Sequence, residues 1–194
     1  MLKLIIGSVN SNKNLLLKKY VDNELLSIRK PIIYYPADSN KNKNSYKSDN
    51  GTTYRSYKIF DYSDLYGNIG ESSILFIDEV QFIVSRPHID EFMKFLEFCD
   101  TQDISVYMFG LNLDYSGEPF EVISRIIQYV DELELCTSYC EKCGKPANMS
   151  VRYVCGVPDI DQNSDTQMLE SELITYKPVC RQCFRNITGA EVIK

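Results

Sequence analysis

The chain has little positive charge to spare. Its 194 residues carry 21 Lys and Arg against 27 Asp and Glu, a formal net charge of −6 and a pI near 4.9. No global basic field is therefore available to hold a polyanion by counterion release, which disfavours a long nucleic acid as main partner and leaves room for a small nucleotide held by local groups. Long apolar runs are also missing. No window approaches the roughly 18 apolar residues of a membrane span, and the apolar stretch in "MLKLIIGS" is too short for a signal peptide, so the expectation is a cytoplasmic protein with no membrane partner. There is a single histidine, His88. It follows a proline at the start of a helical pattern and reads as a solvated or capping residue rather than a catalytic one.

What is present is ordinary for a globular protein: 44% hydrophobic and 25% charged residues, in a chain long enough for one well-buried core and a small appendage. The apolar runs "LKLIIG", "KPIIYYP", "SSILFIDEV" and "ISVYMFGL" read as strands. Between them, "NLLLKKYVDNELL" and "PHIDEFMKFLEFCDTQ" read as helices, with Phe92, Phe95 and Phe98 on a core-facing side. Near-continuous apolar strands separated by helices indicate an α/β fold with a parallel sheet covered on both faces. The polar stretch from Asp38 to Arg55 reads as a surface loop or an extended hairpin. After Cys136 the character changes, which divides the chain into residues 1–135, an α/β domain, and 136–194, a small metal-stapled domain with a long loop.

Seven cysteines need an account. Two C-x-x-C pairs, Cys140 with Cys143 and Cys180 with Cys183, offer four thiolates, enough to close a structural zinc tetrahedron. The other three, Cys99, Cys136 and Cys155, read as buried packing. A second signal is "ILFIDEVQF", which sets Asp78 and Glu79 at the carboxyl end of a buried strand, where open α/β sheets bind ligands. Asp78 suits Mg²⁺ and Glu79 a general base, although apolar strands followed by two acids are also common without a ligand. A third is "GSVNSNKN", residues 7 to 14. A phosphate-binding loop reads G-x-x-x-x-G-K-[ST]; here Gly7 and Lys13 are kept, Asn12 replaces the second glycine and Asn14 the hydroxyl residue. Asparagine tolerates the left-handed conformation best among non-glycine residues. Taken alone, this match does not separate a phosphate cradle from a plain strand–turn–helix.

Together the motifs resemble the small, tetrameric thymidine kinase family. "DEVQF" is similar to its D-E-x-Q-F signature, "GLNLDYSGEPF" to its G-L-D-x-x-F-x-G-E-P-F segment, and "CTSYCEKCGKPANMSVR" with "YKPVCRQC" to its zinc ribbon and the return of its lasso loop. The resemblance implies a P-loop NTPase-like parallel sheet flanked by helices with a C-terminal zinc-ribbon and lasso domain. The activity it implies is ATP- and Mg²⁺-dependent phosphorylation of the thymidine 5′-hydroxyl. Glu79 would be the base. The loop of Gly7, Ser8, Asn10, Ser11, Asn12, Lys13 and Asn14, with Asp38 and Asp78, would serve ATP and Mg²⁺. Phe82, Leu111, Tyr115, Phe120, Ser150 and Tyr176 would line the nucleoside pocket, Tyr115 in place of the family's Phe. Cys140, Cys143, Cys180 and Cys183 would bind zinc, and the chain would form a homo-oligomer, a tetramer by resemblance, in the cytoplasm or that of a host if viral or phage. Asn12, Asn14, Asn40 where an arginine is expected, and the loss of the lasso's glycine pair are departures. They point to the alternative of a catalytically impaired relative acting through protein partners.

Overall fold

The structure is a computed structural model and describes residues 1–24, 30–36, 45–47, 53–60, 62–70, 73–83, 88–160 and 171–189. The chain forms two compact units, each built from several segments: unit 1 from Met1–Ile6, Lys13–Gly110 and Glu121–Glu134, unit 2 from Gly7–Asn12, Leu111–Phe120 and Leu135–Lys194.

Unit 1 is organised by a mostly parallel sheet flanked by helices. Its strands are β1 (Leu2–Gly7), β2 (Lys30–Pro36), β3 (Ser45–Lys47), β4 (Thr53–Ile59), β5 (Ser73–Ile77), β6 (Ser105–Leu111) and β7 (Glu132–Cys136), in the order β3-β4-β2-β5-β6-β1-β7. The pairings β4–β2, β2–β5 and β5–β6 are parallel, and only the short β3 is antiparallel to β4 among these. Ile74–Ile77 of β5 and Val106, Met108 and Phe109 of β6 are almost completely buried. Strands covered on both faces by helices need apolar residues at successive positions, which is why these four runs were legible. The helices are α1 (Lys13–Glu24), α2 (Ile89–Thr101) and α3 (Glu121–Ile126). On α2 the buried set Ile89, Phe92, Met93, Phe95, Leu96 and Cys99 recurs at helical spacing.

One expectation is met in its hairpin form and two are corrected. The stretch up to Arg55 was expected to be loop or hairpin; its described parts, β3 and β4, pair antiparallel as a hairpin, but β4 continues to Ile59 as an interior strand of the sheet. Its sequence "TYRSYKI" mixes Tyr54, Ser56 and Ile59, all buried, with exposed Thr53. That mixture hides a strand that lies one place from the sheet edge. Phe98 is 37% exposed and packs on Tyr66 instead of the core, ring centroids 5.3 Å apart, because it falls one step past the buried stripe of α2. Cys155 is exposed in a left-handed turn and Cys136 is half-buried, so only Cys99 is the buried packing thiol; burial pushes it up to about 12.

Unit 2 holds β8 (Ser138–Tyr139) paired with β9 (Pro146–Ala147). A three-stranded antiparallel sheet follows, of β10 (Met149–Val154), β11 (Val157–Pro158) and β12 (Ile174–Val179) in the order β11-β10-β12, and then α4 (Arg181–Thr188). Its core is small: Ala147, Met149, Val151, Tyr153, Val179 and Phe184 around Cys140 and Cys180, with Leu113 and Ile187 at the margin. A core of that size needs a staple. Among the described residues no helix is long and apolar enough to cross a membrane.

Candidate functional site

The carboxylates of unit 1 stand where β5 ends. Asp78 is 3% exposed, and its backbone N–H donates to Tyr34 O on the neighbouring strand β2 at 2.9 Å. The next residue, Glu79, leaves the strand direction abruptly, with φ 52° and ψ 45°. A left-handed glutamate is a strained backbone that persists only when its surroundings hold it. Three bonds do so: Glu79 N–H donates to Asp78 Oδ1 at 3.0 Å, Phe82 N–H donates to Glu79 O at 2.9 Å, and Gln81 Nε2 donates to Glu79 Oε2 at 2.7 Å. Gln81 is itself 3% exposed and confined from the far side by Gly110, at which a Cβ would stand 2.6 Å from Gln81 Oε1 and 3.0 Å from Val80 Cγ1. The structure thus brings together Asp78, Glu79 and Phe82 around the short 3-10 turn Val80–Phe82. Gln81 was part of the quoted motif, but its hold on Glu79 could not be read from spacing. Lys13, half-buried, opens α1 of the same unit, and that helix has no acidic residue in its first turn to compete with an anion. Asn14, next to it, is exposed.

The loop Gly7–Asn12 belongs to unit 2 and is fixed there by side chains. Ser8 Oγ donates to Ala147 O at 3.2 Å, Ser138 Oγ donates to Asn10 O at 3.1 Å, and Val9 N–H donates to Ser150 Oγ at 3.2 Å. Ser8, Ser11 and Ser150 are buried. Gly7 is required for close approach: a Cβ there would lie 2.3 Å from the carbonyl oxygen of Cys136 and 2.6 Å from Ser11 Oγ. Asn10 and Asn12 both take the left-handed conformation, φ 57° and 63°. Asn12 therefore adopts the backbone that a glycine would. The loop thus turns twice through left-handed asparagines, and its Val9 amide is committed to Ser150.

The remaining pocket candidates lie on two segments of unit 2. Leu111 and Phe120, both half-buried, flank a turn tied by Asp114, whose Oδ1 accepts from Ser116 N–H (2.8 Å), Ser116 Oγ (2.6 Å) and Glu118 N–H (3.1 Å). Gly117, at φ 92°, completes it where a Cβ would press Met149 Cε at 3.0 Å. Tyr115, at the turn's centre, is 4% exposed and lies 3.6 Å beneath the guanidinium of Arg152, which is also linked to Tyr176. Arg152 escaped the sequence reading; its one signal is a charged residue between apolar neighbours in "SVRYV". Asp38 lies outside the described residues, as does the segment 161–170.

The four paired cysteines converge, with their sulfurs within 4.8 Å of one another and Cys143 and Cys180 at 3.6 Å. Bonds of about 2.3 Å from a tetrahedral zinc place its sulfurs about 3.8 Å apart, so this donor set is compatible with structural zinc. Local chemistry favours the thiolate at Cys140 and Cys180, while side-chain bonding to Cys143 pushes the Cys183 thiol up to about 12. Burial alone would raise the Cys140 thiol, but backbone amides of Cys180, Lys142 and Cys143 bring it down to about 6. Amide bonding from Cys183 leads in lowering Cys180. Gly144, at φ 70°, lets the first knuckle close through its N–H donating to Cys140 O at 2.8 Å.

Comparison with known proteins supplies the deciding observation: a family model described as "Thymidine kinase" matches residues 1–184. The chain belongs to the thymidine kinase family. Similar curated relatives include the thymidine kinase of Shouchella clausii (strain KSM-K16), 29% identical over 186 residues and covering 93% of each chain. That of Thermococcus kodakarensis is 29% identical over 188 residues, 93% of this chain and 92% of the relative. The thymidine kinase of Enterococcus faecalis is 29% identical over 182 residues, 91% and 90%. Membership of the thymidine kinase family implies a nucleoside substrate and accounts for the α/β sheet and the cysteine cluster together.

Proposed function

We propose that this family member transfers the γ-phosphoryl group of ATP to the 5′-hydroxyl of thymidine. The observation that carries the reading is Glu79, turned out of β5 in a left-handed conformation and gripped by Gln81 at 2.7 Å. Such strain is kept where a carboxylate must be aimed. In this reading the Glu79 carboxylate takes the proton of the 5′-hydroxyl as the oxygen attacks. Lys13 reaches the outer phosphates, and the loop from Gly7 to Asn14 supplies amides other than that of Val9 for the rest, its two left-handed asparagines supporting that assignment. Asp78 would hold Mg²⁺, which when bound neutralises charge on the phosphates. Phe82, Leu111, Tyr115, Phe120, Ser150 and Tyr176 would contact the nucleoside, and the four cysteines would hold zinc in a closed structural site.

One observation favours a second reading, a catalytically impaired relative acting through protein contacts: an exposed amide, Asn14, occupies the place of the Mg²⁺-binding hydroxyl. A phosphoryl-transfer assay on zinc-loaded protein with Lys13→Ala and Glu79→Gln separates the two. Turnover lost in both variants supports the kinase. Mg·ATP and thymidine that fail to bind folded protein support the second reading.

A further inference from the structure

Among the described residues the largest fully buried side chain is a cation, Arg152, at 0% exposure in the middle of β10. A buried guanidinium persists only when its charge is paired. Its Nε donates to Asp159 Oδ2 at 2.9 Å, and Nη2 approaches the same oxygen at 2.7 Å. Asp159 N–H in turn donates to Arg152 O at 2.8 Å, which closes the pair through the backbone as well. On the other side, Arg152 is the cross-strand partner of Tyr176 on β12 and is hydrogen-bonded to its side chain. Its flat face lies 3.6 Å over the ring of Tyr115, within the range of a strong cation–π contact.

We infer that Arg152 is a positioning residue for the nucleoside-contacting side chains of unit 2, tying Asp159, Tyr176 and the ring of Tyr115 to one guanidinium and thereby setting affinity for a pyrimidine nucleoside. This rests on the reading of Tyr115 and Tyr176 as nucleoside contacts. Asp159 directly follows β11 and Tyr176 lies within β12, so one side chain of β10 is tied on both sides of its strand. The planar, forked group is needed: a lysine cannot stack on Tyr115 while meeting Asp159 and Tyr176 at once.

The test uses the full-length, zinc-loaded protein and the variants Arg152→Lys, Arg152→Met and Asp159→Asn. Thymidine binding is followed by calorimetry, kcat and KM by phosphoryl transfer, and hydrogen exchange by mass spectrometry over 111–120 and 171–179. Asp159→Asn keeps size and one acceptor, which guards against a result due only to misfolding; retained zinc stoichiometry identifies folded samples. The expected result is a thymidine Kd and KM raised at least about tenfold, equivalent to ~1.4 kcal/mol, with kcat at saturation within about threefold. Exchange should be faster in both peptides, and Mg·ATP affinity unchanged. Thymidine affinity unchanged in all three variants would overturn the positioning role, as would a fall in kcat with KM constant. If wild-type protein binds no thymidine, the kinase reading fails by itself; unchanged exchange in both peptides would then overturn the fastening of Tyr115 and Tyr176 separately.

Discussion

Adding one methyl group at Gly110 probes the arrangement of Glu79 without touching it. A Cβ there would lie 2.6 Å from Gln81 Oε1 and 3.0 Å from Val80 Cγ1, against ordinary contacts of 3.4–4 Å. Val80 is completely buried and cannot move aside, so the Gln81 amide must swing away, which breaks its 2.7 Å hydrogen bond to Glu79 Oε2. A hydrogen bond to a charged group is worth about 1.5–3 kcal/mol. If that bond aims the base in the transition state, Gly110→Ala should lower kcat by roughly 10- to 150-fold. The KM for thymidine should move little, while overpacking costs about 1–3 kcal/mol of stability. Steady-state kinetics with a urea unfolding curve on the same sample reads both. Gln81→Ala should reproduce the kinetic defect without the overpacking. Normal kcat in a Gly110→Ala protein that is destabilised as expected would refute the role given to Gln81.

Three further outcomes follow from other parts of the molecule. Gly7→Ala sets a Cβ 2.3 Å from a backbone carbonyl that no rotamer change can clear, so it should cost on the order of 3 kcal/mol in urea unfolding and weaken Mg·ATP binding. In unit 1, Lys3 Nζ meets Tyr20 Oη at 2.7 Å and Glu132 and Glu134 at 3.1 Å each. Burial would raise the Glu134 carboxyl, but bonds from Lys3 and Tyr20 outweigh it and leave it below its ordinary value of 4.5. A depressed folded pKa means stability fully present above the unfolded value and lost as pH falls through the folded one. The stability gap between wild type and Glu134→Gln, read from urea midpoints, should therefore be constant near neutrality and shrink below about pH 4.5. Finally, stripping zinc with a chelator should unfold β8–β12 as judged by hydrogen exchange. Because Ser138, Ala147 and Ser150 hold the loop Gly7–Asn12, Mg·ATP affinity should fall with it. An unchanged nucleotide affinity in zinc-free protein would contradict that coupling.

The legible parts of this fold were those whose physics is local. Buried parallel strands declare themselves as apolar runs, and paired cysteines carry their chemistry in their spacing. β4 was hidden because a strand near the sheet edge mixes polar with apolar residues. Cys155 was misread because its burial depended on a left-handed turn that spacing does not reveal. Phe98 followed the helical period and still ended outside the core, since the width of the buried stripe is set by what packs against α2. The grip of Gln81 on Glu79, the room made by Gly110 and the burial of Arg152 are tertiary facts. Each joins residues whose relation only the folded chain defines. Asn12 is the opposite case: its tolerance of a left-handed backbone was expected from its chemistry and is found at φ 63°.

The central claim is that a phosphate loop built with asparagine still serves a thymidine kinase. It is tested most directly by titrating folded, zinc-loaded protein with Mg·ATP and with thymidine in a calorimeter, then following phosphate transfer on the same sample. The account predicts binding of both ligands and formation of thymidine 5′-monophosphate that disappears in Glu79→Gln. Folded protein that binds neither ligand, or that turns over normally without Glu79, would contradict it.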